Sequence, residues 1–241
     1  MAKKKRTIVG SPLTPSMLVE LDAITKLSPA SGDFNPAGNW IHSYRIWTCH
    51  GYRESGNENV GFLRIERIGN SDETFVLNVY QEVVQTDAII HSIDGTIKCR
   101  NNPLASPVKW RLKSEFIGAD GEHIPELLSS DIGRAAKGPQ STTGDWCLFE
   151  AIQRLAYDKE NSLSFDLLEG MSLKKSGHHL SYRGVTQLKM DGIDMPLHCF
   201  VQLGSGILPY EYWLDERHRL LAVTSMNKAY ILDDQAEKAI K

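Results

Sequence analysis

The chain has 241 residues, 41% hydrophobic, 24% charged and 8% aromatic, with a net charge of −3. This is the balance of a folded globular protein. It excludes a disordered chain, which lacks the apolar residues to offset ordering entropy. With Lys and Arg outnumbered by Asp and Glu, no broad basic surface for nucleic acid is expected.

Met1–Arg6 is basic, but Gly10, Pro12 and Pro15 break the following segment before the roughly 7–15 apolar residues of a secretory signal can accumulate. No stretch reaches the ~20 apolar residues of a transmembrane helix. The sequence as given reads as cytoplasmic, or as periplasmic or secreted if a signal peptide was removed. Residues 1–38 form an irregular lead with one short helix predicted from Pro15 to Lys26.

From Asn39 the texture is β. Asn39–His50, Val60–Ile68, Thr74–Gln85 and Ile89–Arg100 are predicted strands separated by Gly/Asn/Ser/Asp turns. Val108–Ile117 alternates cleanly: Val108, Trp110, Leu112, Ser114 and Phe116 on one face, Lys109, Arg111, Lys113 and Glu115 on the other. Ala119-Asp120-Gly121 reads as a turn, residues 118–143 as loop, and Gly138–Gly144 as a linker. The period then switches. Trp146, Phe149, Ile152 and Leu155 follow helical spacing behind Asp145 as N-cap, giving one helix over about 145–157.

A second strand series follows: Leu163–Leu168, a hairpin of His179–Met190 and Ile193–Leu203 around Asp191-Gly192, then Ile207–Leu214, Leu220–Met226 and Tyr230–Leu232. A polar tail of residues 234–241 closes the chain. The expected fold is mainly β: a strongly curved antiparallel half-barrel of about 10–11 strands, with one central helix packed against its concave side. Residues 39–233 form that single domain.

This order of elements, with the helix Asp145–Tyr157 and the run Tyr210-Glu211-Tyr212-Trp213-Leu214-Asp215 leading into Arg219-Leu220-Leu221, resembles the half-barrel (β-clam) domains of bacterial lipoprotein carriers and their uncharacterised relatives. The resemblance implies a greasy concavity that holds an acyl chain or another apolar ligand.

No P-loop, dinucleotide fingerprint, GxSxG elbow or HExxH occurs, so no cofactor is expected. The four cysteines, Cys49, Cys99, Cys147 and Cys199, lack metal-binding spacing and read as buried thiols, and no metal is expected. Cys147 near a helix start is a nucleophile candidate weighed against simple core packing. Trp40, His42, Tyr44, Ile46, Thr48 and His50 share one face of the first strand, placing two imidazoles beside aromatic walls. His198 shares a face with Phe200 and Gln202, opposite Leu197, Cys199 and Val201, and is expected to be exposed. Tyr210, Tyr212 and Trp213 cluster beside Glu211 and Asp215, a pairing of rings and carboxylates that suits sugars. Lys109, Arg111, Lys113 and Arg100 make a small basic stripe, read as a solvated face.

The favoured reading is a binding module for a small apolar or amphiphilic ligand in the concavity, contacted by Trp40, Tyr44, Trp110, Tyr210, Tyr212 and Trp213. One alternative is a lyase, isomerase or hydrolase, with carbohydrate as one substrate class, that uses His42, His50, His198 and Glu211 in the same concavity. The other is a structural or interaction domain with a filled core. Oligomeric state is left open.

Overall fold

The computed structural model describes residues 14–16, 34–48, 58–69, 73–84, 90–116, 119–123, 142–160, 162–190 and 193–238. Most of the expected lead helix, together with Cys49 and His50, lies outside the described residues. Among the described residues there are thirteen strands: β1 Trp40–Thr48, β2 Glu58–Gly69, β3 Thr74–Val84, β4 Ile90–Arg100, β5 Pro107–Phe116, β6 Ala119–His123 and β7 Thr142–Gly144 precede the helix. β8 Ser162–Glu169, β9 Leu173–Met190, β10 Ile193–Leu203, β11 Tyr210–Leu214, β12 Leu220–Thr224 and β13 Lys228–Leu232 follow it. They form one sheet in the order β6-β5-β4-β3-β2-β1-β13-β12-β11-β10-β9-β8-β7. Every pairing is antiparallel except β7 with β8. The sheet curls until β5 and β7, near its two ends, come into contact, so the barrel is nearly closed.

The segment expected to be loop and linker therefore supplies two strands. Phe116 pairs with Ala119, so Asp120 and Gly121 lie in β6 and not in a turn. Thr142–Gly144 pairs with Asp166–Leu168. Both strands are short and polar, without an apolar alternation to mark them. Strand β9 begins at Leu173, six residues before its expected start, because Lys174-Lys175-Ser176-Gly177 carries no such pattern either. Val108 is the extra residue of a bulge opposite Lys98–Cys99, which turns it outward; it is 47% exposed. Beyond the bulge Trp110 and Leu112 point inward, as expected.

Helix α1, Asp145–Ala151, runs inside the barrel, and its residues Trp146 through Ala151 are all buried. A helix apolar almost all round belongs in a core. Its N-cap is Gly144, not Asp145, and no side chain caps it. A Cβ on Gly144 would collide with the Met171 sulfur, so the tight entry requires glycine. A 3-10 turn, Ile152–Arg154, prolongs the helix, and Leu155 is already extended (φ −81°, ψ 141°), three residues short of the expected end. Gln153 explains the stop: its Nε2 donates to the Phe149 carbonyl and its Oε1 accepts from Leu220 N, fastening the helix end to β12.

One charged residue enters this core with the helix. Glu150 is fully buried and takes Arg67 Nε at 2.8 Å, Arg154 Nε at 2.6 Å and Arg154 Nη2 at 2.8 Å. Arg67 Nη1 also donates to the carbonyls of Ala37 and Gly38, Arg154 Nη2 to that of Asn102, and the Arg67 guanidinium lies 4.3 Å from the Phe75 ring centre. The cluster ties α1 to β2, to the segment before β1 and to the β4–β5 connection. A second apolar layer lies on the other face of strands β9 to β13, where Leu188, Leu197, Cys199, Trp213 and Leu221 are buried together.

Candidate functional site

Strand register builds the inner wall. Ser114, Ile93, Gln81, Leu63 and Tyr44 lie side by side across β5, β4, β3, β2 and β1. Ile46, Tyr230, Val223, Tyr212 and Phe200 form a neighbouring row across β1, β13, β12, β11 and β10. These residues share one face because side chains alternate along each strand. Between this wall and α1 the barrel keeps a cavity of about 260 Å³. Its buried floor is Leu63, Leu148, Phe149, Tyr212 and Val223. Half-buried Gln81, Ile93, Glu169, Ile207, Tyr210 and Tyr230 surround the floor.

Phe149 is the hub of the floor. It meets the rings of Tyr44, Tyr212 and Tyr230 edge-on, with centroids 5.3, 6.4 and 5.4 Å away. Edge-to-face packing aims the positive ring edge at the negative π face and fixes these rings. Burial pushes the hydroxyl pKa values of Tyr210, Tyr212 and Tyr230 upward, so all three remain neutral phenols.

Two carboxylates line the cavity, and the more deeply buried one is Asp145, at the start of α1. Its Oδ2 accepts the Gly170 N–H at 2.8 Å, while its solvent-shielded Oδ1 accepts from no group among the described residues. Burial is the main reason its pKa is pushed up to about 6, with the Gly170 hydrogen bond opposing and Glu169 adding repulsion. Glu169, the other carboxylate, is paired with Lys175 at 2.7 Å. No cationic side chain lines the cavity among the described residues.

A polar chain leads away from the floor. Tyr212 Oη donates to Gln202 Oε1 at 2.7 Å, and Gln202 Nε2 faces His178 Nδ1 at 3.4 Å. An amide nitrogen only donates, so His178 Nδ1 is the acceptor of this contact and the proton sits on Nε2. Gly204 lies directly over the imidazole, and any Cβ there would strike the ring.

The remaining residues singled out from the sequence disperse. Tyr210 and Tyr212 line the cavity; Tyr44 stands behind it against Phe149. Trp40 and Trp110 belong to the same core but do not line the cavity. Trp213 faces the opposite side of the sheet, its Nε1 donating to Thr224 Oγ1 at 3.0 Å. Glu211 shares that outer face and is buried against Arg183. His42 is buried between the rings of Trp40 (4.5 Å) and Phe34 (5.3 Å), with Nδ1 3.2 Å from Tyr44 Oη. Burial, then the charge of Arg219, lowers its pKa to about 3.

His198 was expected to be exposed. It is instead half-buried on the inner side, with the second apolar layer covering the face behind it. Its ring stacks on Tyr157 at 3.7 Å, and His218 stacks on the same tyrosine at 4.1 Å, each within 6° of parallel. His198 Nδ1 also lies 2.7 Å from Tyr182 Oη. His42, His198 and Glu211 thus occupy three separate environments. Cys147 packs 3.8 Å from Cys99, sulfur to sulfur, in the core. No group of three or more His, Cys, Asp or Glu suited to a metal gathers among the described residues.

Sequence reasoning passed over Phe149, Gln202 and Tyr230 as site residues and read Asp145 only as a cap. Their shared cavity is a product of register between distant strands. One signal was available for Asp145: it is an acid heading a helix that has no polar face to leave in water.

No protein-family model matches the sequence, and no curated protein matches it. Among solved structures, the chain is similar to a β-barrel-like protein of a domain of unknown function, DUF1849, from Brucella abortus. The superposition has a TM-score of 0.46 at 10% sequence identity and covers 82% of this chain and 99% of that one.

Proposed function

We propose that this protein binds a small apolar or amphiphilic molecule in the cavity between α1 and the barrel wall. The observation that carries the reading is the cavity itself. Protein interiors are packed to crystal-like density and keep few voids larger than a water molecule. A concavity of about 260 Å³ walled by Leu63, Phe149, Tyr212, Val223 and Tyr230, and partly open at its rim, leaves room that such packing would otherwise fill. A cavity of about 150 Å³ takes up benzene, and drug-sized pockets start near 300 Å³. This one therefore suits a one- or two-ring molecule, or a short chain of similar bulk, better than a multi-chain lipid. Aromatic edges and faces supply dispersion contact, and the tyrosine hydroxyls and Gln202 supply polar contacts at one side.

The test is a titration of the isotope-labelled protein with 2-phenylethanol, followed by amide and methyl NMR shifts. Saturable shifts centred on Leu63, Leu148, Phe149 and Val223 are expected. No shift at millimolar probe, or shifts confined to the outer face around Trp213, would remove the reading.

A further inference from the structure

The polar side of the cavity says which end group the ligand carries. Asp145 and Glu169 are its ionisable acids, and no Lys, Arg or His lines it among the described residues. The nearby cations are engaged elsewhere. Lys175 Nζ contacts Glu169 Oε2 and the Gly206 carbonyl, each at 2.7 Å. Lys228 Nζ stands 5.8 Å from the Tyr230 ring centre, without lining the cavity. Lys175 pairs with Glu169 and its charge also reaches Asp145, but among the described residues no cationic side chain pairs directly with the Asp145 carboxylate. Its Oδ1 has no hydrogen-bond donor. Asp145 shares the cavity with the rings of Trp146, Phe149, Tyr210 and Tyr230, whose π faces attract cations, and Lys228 over Tyr230 shows one ring of the set already facing an ammonium.

Resting on the cavity as a ligand site, we infer that its ligand bears an amine or ammonium group, held beside Asp145 and against the tyrosines, with an aromatic or short aliphatic body on the Phe149 floor. The same arrangement rejects carboxylates and phosphates. An anion would meet the unpaired Asp145 carboxylate, with Glu169 already paired to Lys175 and no cation lining the cavity among the described residues, and like charges in a poorly hydrated site repel strongly. Fatty acids, the ligands an acyl-chain carrier would suggest, fall in the rejected class.

Three probes of nearly equal size decide it: 2-phenylethylamine, 2-phenylethanol and phenylacetate, titrated by calorimetry and NMR into the full chain at pH 7.5. The amine should bind about tenfold more tightly than the alcohol, and phenylacetate at least about tenfold more weakly than the alcohol. In Asp145→Asn the amine should fall to within about threefold of the alcohol. A readout needing no variant is the wild type at pH 5, where protonating Asp145 should shrink the amine preference. Glu169 with Lys175, and the neutral Tyr210 and Tyr230, are the other titratable groups at that side. An amine no better than the alcohol, or phenylacetate equal to it, overturns the inference while leaving the cavity a ligand site. Failure of all three to bind removes the ligand site and the inference with it.

Discussion

Replacing Asp145 by Asn tests the electrostatics of the cavity through stability alone, with no ligand. In the folded protein the carboxyl has a pKa of about 6, against an ordinary value of 3.8, chiefly because burial penalises its charge. A carboxyl whose pKa is raised by folding binds its proton more tightly in the folded state. Its contribution is fully present below about pH 4 and is lost as pH climbs through about 6. The difference corresponds to about 3 kcal/mol between pH 4 and pH 7.5, a large part of a typical domain's total stability. Asparagine keeps an oxygen for the Gly170 N–H and has no proton to lose, so its stability lacks this pH-dependent component. Urea unfolding of both proteins by tryptophan fluorescence at several pH values gives the difference directly. Relative to its value at pH 4, the variant should gain about 3 kcal/mol on the wild type by pH 7.5, with half of the change complete near pH 5 to 6. A difference that stays constant within about 0.5 kcal/mol over that range would show that Asp145 is ordinarily solvated, and would refute the argument.

Glu150→Gln should cost about 3–5 kcal/mol in urea unfolding, because it leaves Arg67 and Arg154 close together in the core with no counter-charge; a loss under about 1 kcal/mol would contradict this. His42 should show a neutral imidazole in NMR titration down to about pH 4, and since folding lowers its pKa to about 3, the stability it contributes above pH 6.5 should be lost as the pH falls. By pH 5 that loss is about 2 kcal/mol, and His42→Gln should flatten that part of the stability curve. Gly204→Ala forces a methyl into the His178 ring and should destabilise by about 1–3 kcal/mol while weakening 2-phenylethanol binding through the Gln202–Tyr212 chain. An unchanged melting temperature and unchanged probe affinity would show that the chain does not brace the cavity.

The strands were legible wherever one face is apolar and the other is not. β1, β4, β5 and β10 all fall within two residues of their expected limits, and the single interior helix was marked by the change of period after Gly144. β6 and β7 were not, since three or five polar residues carry no alternation and form strands only because a neighbour offers a free edge. Tyr210, Tyr212 and Trp213 stood out in the sequence as one aromatic cluster; alternation along β11 turns the two tyrosines into the cavity and Trp213 to the other face. Asp145, Phe149 and Tyr230 did not stand out, because what unites them is the folding of a helix into a barrel whose walls come from both halves of the chain. Burial of Glu150 was equally hidden: its partner Arg67 lies 83 residues away, and the pairing needs both elements in place.

The seam between β1 and β13 has a consequence for how the molecule is made. Tyr44 pairs with Leu232, so the seam joins the first and the last strand of the sheet in chain order. Strands β1 to β6 form a meander of sequential neighbours that can assemble during synthesis, but its β1 edge stays open until β13 has been translated. Until then Tyr44 and Ile46 lack their β13 neighbours, Leu232 and Tyr230. Pairings so distant in sequence form slowly, and open strand edges are where chains associate wrongly. The β1 edge is therefore the part of the unfinished barrel most open to wrong association, and docking of β13 is what closes it.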